Sequence, residues 1–183
     1  MLPRILAVTA LAIATTSTAQ AGSFSQQLSS SLFGEAGRKH GIDPYLIYSI
    51  ALVESAYSSQ QKGFVAPYTY ALRSGLGAEY PATLAEAESA LIKHLAGAKT
   101  LHSVDVCLMQ VNLGWNGHRV NKPADLLNAR TCIDTGAAIL KDTLSSTDNL
   151  YEAIGRYHTW SNKEAASKYA TKVITIYNKL PRT

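Results

Sequence analysis

Glu54 is the residue most able to do chemistry. It ends the run Tyr45-Leu46-Ile47-Tyr48-Ser49-Ile50-Ala51-Leu52-Val53-Glu54-Ser55. Positions three, four and seven before it are Ala51, Ile50 and Ile47, so on a helix Glu54 shares an apolar face. Near a helix C-terminus the macrodipole also disfavours negative charge. Burial and dipole both raise a carboxyl pKa, and a carboxyl protonated near neutrality serves as a general acid. Taken alone, the segment reads first as a boundary glutamate paired to Lys or Arg. Downstream, Cys107-Leu108-Met109-Gln110-Val111-Asn112 is an apolar turn carrying two side-chain amides. Gln110 and Asn112 offer donors and acceptors suited to sugar hydroxyl and acetamido groups. Asp105, just before this turn, is the candidate second carboxylate. Its competing role is a local backbone hydrogen bond at a strand end, and that is the role expected here.

No metal site is expected. His40, His94, His102, His118 and His158 form no H-E-x-x-H or comparable pair. Two cysteines cannot build a Cys-only tetrahedral zinc site. His158 is expected to be a helix-end histidine, and Trp115 and Trp160 to be core residues, with sugar stacking as the alternative for each tryptophan.

The elements that must position these residues are mostly helical. Phe24, Leu28, Leu32 and Phe33 fall at helical spacing, closed by Gly41. Asp43-Pro44 supplies an N-cap and a first-turn proline for a helix through about Ala56. Residues 58–82 are rich in Gly and Pro around Tyr68-Thr69-Tyr70-Ala71-Leu72, which predicts a short hairpin or small sheet. Thr83-x-x-Glu86 is a capping box for a helix from Leu84 to about Ala96, stopped by Gly97. Val104-Asp105-Val106 fits a short strand. Thr131 is a candidate cap for a helix over Cys132–Leu144, Asp148 for one over Asn149–His158, and Ser161-x-x-Glu164 for the last helix. Tyr169, Val173 and Ile176 share one face of that last helix.

With 183 residues, 46% of them hydrophobic and 16% charged, the chain can bury one core. That composition excludes disorder, collagen and a disulfide-dense miniprotein. A net charge of +4 is too small and scattered to indicate nucleic acid. Arg4, the apolar stretch Ile5–Ala14 and Ala19-Gln20-Ala21 form an export-signal pattern cleaved after Ala21. The apolar stretch is too short to span a bilayer. Residues 1–21 are therefore expected to be a signal peptide and 22–183 a single periplasmic domain. In an oxidising compartment the even cysteine count predicts a Cys107–Cys132 disulfide.

Taken together and in order, these segments resemble the lytic transglycosylases of the lysozyme-like superfamily. Those enzymes show an E-S pair ending an apolar helix, then G-L-M-Q, then N-x-x-x-G-A-x-x-L, then A-Y-N. The counterparts here are Val53-Glu54-Ser55, Cys107-Leu108-Met109-Gln110-Val111-Asn112, Asp134-Thr135-Gly136-Ala137-Ala138-Ile139-Leu140 and Arg156-Tyr157-His158. The resemblance spans about Phe33 to Leu180. The form of the second motif is most similar to the specialised group encoded with conjugation, type IV pilus and secretion machines. Three features depart from the pattern. Cys107 replaces a glycine, His158 replaces an asparagine, and the connection from Glu54 to Leu108 is long enough to carry structure of its own.

The resemblance implies a mainly α (α+β) fold, a lysozyme-like helical domain with a small inserted β-hairpin/helix lobe lining one side of a cleft. It implies a peptidoglycan substrate cut after N-acetylmuramic acid, no cofactor and a monomer. Proteins of an envelope machine are the candidate partners. Glu54 would protonate the leaving oxygen, then take the C6 hydroxyl proton as a 1,6-anhydro ring closes. The substrate's acetamido group would carry the intermediate charge, so one carboxylate replaces the usual two. In this reading Gln110 and Tyr157 orient the acetamido group, Asn112 contacts sugar, Met109 forms an apolar floor, and Ser55 steadies the helix end beside the substrate. A lysozyme-type hydrolase and a non-catalytic glycan-binding module are the alternatives.

Overall fold

The computed structural model describes residues 23–58 and 65–182. The signal-peptide expectation falls on residues outside that range. Among the described residues, eight α-helices and six short strands follow in chain order. The helices are α1 (Phe24–Ser30), α2 (Leu32–His40), α3 (Pro44–Ser55), α4 (Leu84–Gly97), α5 (Leu113–Asn116), α6 (Ala129–Ser145), α7 (Leu150–His158) and α8 (Lys163–Lys179). The strands are β1 (Ala56–Ser58), β2 (Val65–Pro67), β3 (Leu72–Ser74), β4 (Gly77–Glu79), β5 (Asp105–Val106) and β6 (Val111–Asn112). This is a mainly α lysozyme-like fold with a small β lobe. No helix among the described residues is long and apolar enough to cross a membrane.

The helix starts follow side-chain chemistry. Asp43 accepts from the Tyr45 N–H, and Pro44 occupies the first turn of α3. Thr83 and Glu86 form the expected capping box on α4. Three caps lie one to three residues from the expected ones. Asn128 caps α6, Asn149 caps α7 and Asn162 caps α8, in place of Thr131, Asp148 and Ser161. Each asparagine oxygen reaches the N3 amide, and Asn ranks among the best N-caps.

The helix expected over Phe24–Gly41 is two helices. Ser31 adopts an extended conformation, ends α1 and accepts from the Phe33 N–H to start α2. Gly34 makes this sharp join feasible, because a Cβ there would lie 2.0 Å from the Ser29 carbonyl oxygen. Gly41 closes α2 in the left-handed region at φ 69°.

Helix α3 is central. Tyr45, Leu46, Ile47, Ser49, Ile50, Ala51 and Ser55 are all buried, so nearly every side is covered. It packs against α2, α6 and α8. Ala137 and Leu140 of α6, Ile154 of α7 and Ala170 and Val173 of α8 complete the fully buried centre. The long connection after α3 forms a two-stranded sheet, β1–β2, and most of a four-stranded sheet of order β4-β3-β5-β6. All pairings are antiparallel. The expected hairpin is β3–β4, just after the tyrosine segment. Helix α4 braces β3 through a buried tie: Ser74 Oγ lies 2.6 Å from His94 Nδ1, and His94 Nε2 lies 3.3 Å from Glu79.

Candidate active site

The last turn of α3 carries Glu54, and the next residue fixes its place. Ser55 is 2% exposed. Its hydroxyl reaches the Ala51 carbonyl at 3.1 Å and the Leu108 carbonyl at 2.8 Å, and accepts from the Tyr68 N–H at 3.1 Å. Ser55 therefore ties the helix end to the Cys107–Gln110 turn and has no surface left for substrate.

That turn contains two left-handed residues, Cys107 at φ 70° and Gln110 at φ 46°. Such a conformation costs a non-glycine residue about 1–2 kcal/mol, which is the physical sense of a glycine at the Cys107 position. Cys107 is held there by its disulfide to Cys132 of α6 and by its N–H, which donates to the Ala71 carbonyl at 2.8 Å. A disulfide closing a loop of this length contributes about 3 kcal/mol, enough to offset the strain.

Met109 is fully buried rather than a floor for the sugar. It packs on Gly136 of α6, where an added Cβ would come within 2.7–2.8 Å of Met109 atoms. The small residue lets the turn sit down on the helix. Gln110 spends its side-chain N–H groups on the carbonyls of Ala71 at 3.1 Å and Cys107 at 3.0 Å. Its carbonyl oxygen has no partner among the described residues, so Gln110 presents an acceptor. Asn112 is fully occupied. Its oxygen caps α5 through the Gly114 and Trp115 amides, and its nitrogen donates to His102 O and to Asp105 Oδ1, the latter at 2.8 Å. Asn112 thus positions Asp105 and leaves no group for the substrate.

A cavity of about 300 Å³ joins these residues, with Glu54, Asp105, Gln110, Asn112, Trp115, Tyr157 and His158 on its walls. The strand β5 and the turn supply one side and α7 the other. Helix α4, expected with the hairpin to line the cleft, contributes nothing to this wall and stands behind the sheet. Asp105 faces the cavity and bonds the Asn112 side chain, in place of the local backbone bond expected of it. Trp115 is 71% exposed with its ring 4.4 Å from that of His102, and Trp160 is 63% exposed under the Arg156 guanidinium. Neither tryptophan is a core residue. His158 is the last residue of α7 and is exposed, as expected of a helix-end histidine, and it also stacks on Tyr169 at 4.9 Å with the rings 6° from parallel, on the cavity wall.

Tyr169 of α8 is the site residue that sequence reasoning placed only in the core. Its hydroxyl donates to Glu54 Oε1 at 2.6 Å. Tyr157 stacks beside it, 6.4 Å between centroids, and donates to the Met109 carbonyl at 3.0 Å. Burial and the neighbouring acids hold both phenols well above their ordinary pKa, so they remain neutral donors.

Glu54 is pushed up to about 7, mainly by burial. Tyr169 lowers it through its hydrogen bond, Asp105 raises it by charge repulsion, and Arg73 lowers it by attraction. Asp105 is itself raised, chiefly by burial, against the lowering effects of Asn112, Arg73 and His158. His158 is lowered by burial, while the charge of Asp105 raises it. Glu54 Oε2 has no hydrogen-bond partner among the described residues, so the proton of the neutral acid has a free oxygen to occupy. Elsewhere, Asp134 is tied to Lys39 and His40 on the α2–α6 surface. A larger groove of about 500 Å³ between α7 and α8 has Glu152 as its acid, and Glu152 is paired to Arg156. The chemistry therefore gathers in the smaller cavity. No group of three His, Cys, Asp or Glu side chains among the described residues could hold a metal ion.

A helical lysozyme-like frame with one half-hidden glutamate at the mouth of a polar cleft defines a class of glycan-cleaving domains. Within that class, the family model of the Transglycosylase SLT domain matches residues 31–178. The chain belongs to the transglycosylase SLT family, whose substrate is peptidoglycan. Comparisons with curated proteins and with solved structures returned no significant match.

Proposed function

We propose that this chain is a lytic transglycosylase that cleaves the bond after N-acetylmuramic acid and leaves a 1,6-anhydro end. The observation that carries the reading is Glu54, held near pKa 7 with Tyr169 on one oxygen and the other free. At neutral pH such a group is divided between acid and base, as a catalyst that first gives and then takes a proton requires. Protonation of the glycosidic oxygen releases the leaving sugar. The Tyr169 hydroxyl then stabilises the carboxylate that forms. The Gln110 oxygen is placed to accept from the acetamido N–H, which would orient the acetamido oxygen toward the developing charge. The carboxylate finally removes the C6 hydroxyl proton as that oxygen closes the ring. We place the enzyme in the periplasm as an exported monomer. The form of its second motif supports service to a conjugation, pilus or secretion machine.

Asp105 favours a second reading, lysozyme-type hydrolysis, because it faces the same cavity and its charge reaches Glu54. A water-using route needs that second carboxylate. Digestion of purified murein, with mass spectrometry of the new ends, separates the two. The expected ends are anhydro sugars, one water lighter than reducing ends, with activity abolished by Glu54→Gln and largely kept by Asp105→Asn. A majority of reducing ends, lost with Asp105→Asn, overturns the transglycosylase reading in favour of hydrolysis.

A further inference from the structure

The four-stranded sheet has two unlike faces. The register sets Leu72 opposite Val106 and Val106 opposite Val111, and all three are buried. The alternate row runs Ala78, Arg73, Asp105, Asn112 across the four strands. Residues directly opposite each other on antiparallel strands point to the same face, so these four side chains share the other face. Asp105 and Asn112 form part of the cleft wall. Arg73 is therefore the next side chain outward along that wall, and Ala78 beyond it is too short to cover it.

Arg73 is exposed, and its guanidinium makes no hydrogen bond or ion pair with any described residue. The obvious partner, Asp105, bonds Asn112 instead. A guanidinium offers a planar fork of donors that matches a carboxylate in two parallel hydrogen bonds. Peptidoglycan supplies carboxylates near the scissile bond: the lactyl carboxyl of N-acetylmuramic acid where it is bare, and the free carboxylates of the attached peptide where the lactyl carboxyl is tied up in the amide linkage. We infer that Arg73 is a substrate-recognition residue that binds a carboxylate of this lactyl-peptide substituent, on the lobe side of the cleft. The inference rests on the peptidoglycan reading and goes beyond it by naming which part of the substrate the lobe reads.

The test is binding rather than cleavage, in a Glu54→Gln background that prevents turnover and removes any effect of Arg73 on Glu54. Titration calorimetry would compare three tetrasaccharides. One is a murein fragment with its peptides, one is the same fragment stripped by an amidase so that the lactyl carboxylate is free, and one is chitotetraose, which has no carboxylate. Arg73→Gln is expected to weaken binding of an acidic ligand about tenfold, the scale of one charge-assisted hydrogen-bonded pair near a surface. Chitotetraose should bind as before, which also certifies the fold of the variant. Loss confined to the peptide-bearing fragment assigns the carboxylate to the peptide, and loss on the stripped fragment assigns it to the lactyl group. Equal loss on all three ligands, or no loss on any, overturns the inference. A parent protein that binds none of the three overturns the peptidoglycan reading and this inference with it.

Discussion

Replacing Glu54 by glutamine should stabilise the protein, and by an amount that depends on pH. In the folded chain Glu54 titrates at about 7, against an ordinary 4.5. A folded-state pKa above the unfolded one means that the folded state holds the proton more tightly between those two values. Folding stability then falls as pH rises from 4.5 to 7 and is flat above. At about 1.4 kcal/mol for each tenfold change in proton affinity, the carboxylate costs about 3 kcal/mol above pH 7. Glutamine keeps the shape and an oxygen for the Tyr169 hydroxyl while removing that cost. Urea denaturation of both proteins at pH 4.5, 6 and 8 measures the difference. The variant should gain about 3 kcal/mol at pH 8, less at pH 6, and little near pH 4.5. Asp105, Arg73, Tyr169 and Tyr157 face the same carboxyl, but they are common to both proteins, so the pH-dependent part of the difference reports Glu54. A constant difference, or a variant less stable at pH 8, would refute the account of Glu54 as a desolvated acid.

Tyr169→Phe removes the hydrogen bond that lowers the Glu54 pKa. The basic limb of the activity–pH profile should move to higher pH, and the maximal rate should fall roughly tenfold, the scale of a hydrogen bond to a charged group; an unmoved limb contradicts the assignment. Gly136→Ala should cost about 1–3 kcal/mol by pushing Met109 off α6, read as a lowered unfolding midpoint. Because Met109 leads into Gln110, murein clearing should fall with it. Reduction of Cys107–Cys132 should cost roughly 2–4 kcal/mol and weaken glycan binding through the left-handed turn, checked by denaturation with and without reductant alongside a free-thiol titration.

Local chemistry made much of the frame legible. Asp43-Pro44 and Thr83-x-x-Glu86 marked two helix starts, because their cap signals had no strong competitor nearby. Thr131, Asp148 and Ser161 were displaced as caps because an asparagine stood within three residues of each, and local sequence does not rank such neighbours. The break at Ser31 was hidden, since the apolar spacing from Phe24 to Leu32 runs through it and only the close approach at Gly34 reveals the bend. Within the site, Glu54 was legible from its apolar face. Ser55 steadies the helix end as expected, whereas Met109 and Asn112 face the turn instead of the sugar, because motif proximity does not distinguish a side chain facing the cleft from one holding the turn. Tyr169 was on the right helix face, but its hydroxyl partner lies 115 residues earlier, and periodicity carries no information at that separation. Arg73 became visible only through cross-strand register.

The hydrogen bond between α3 and α8 also has a consequence in time. The acid sits in the first part of the chain and the phenol that steadies it in the last helix. A polypeptide delivered N-terminus first, whether from a ribosome or through a translocation pore, presents Glu54 long before Tyr169 arrives. Without α8 docked, the carboxyl lacks the Tyr169 hydrogen bond and the cover that this helix gives α3. A chain clipped ahead of α8 therefore lacks the phenol that hydrogen-bonds Glu54 Oε1.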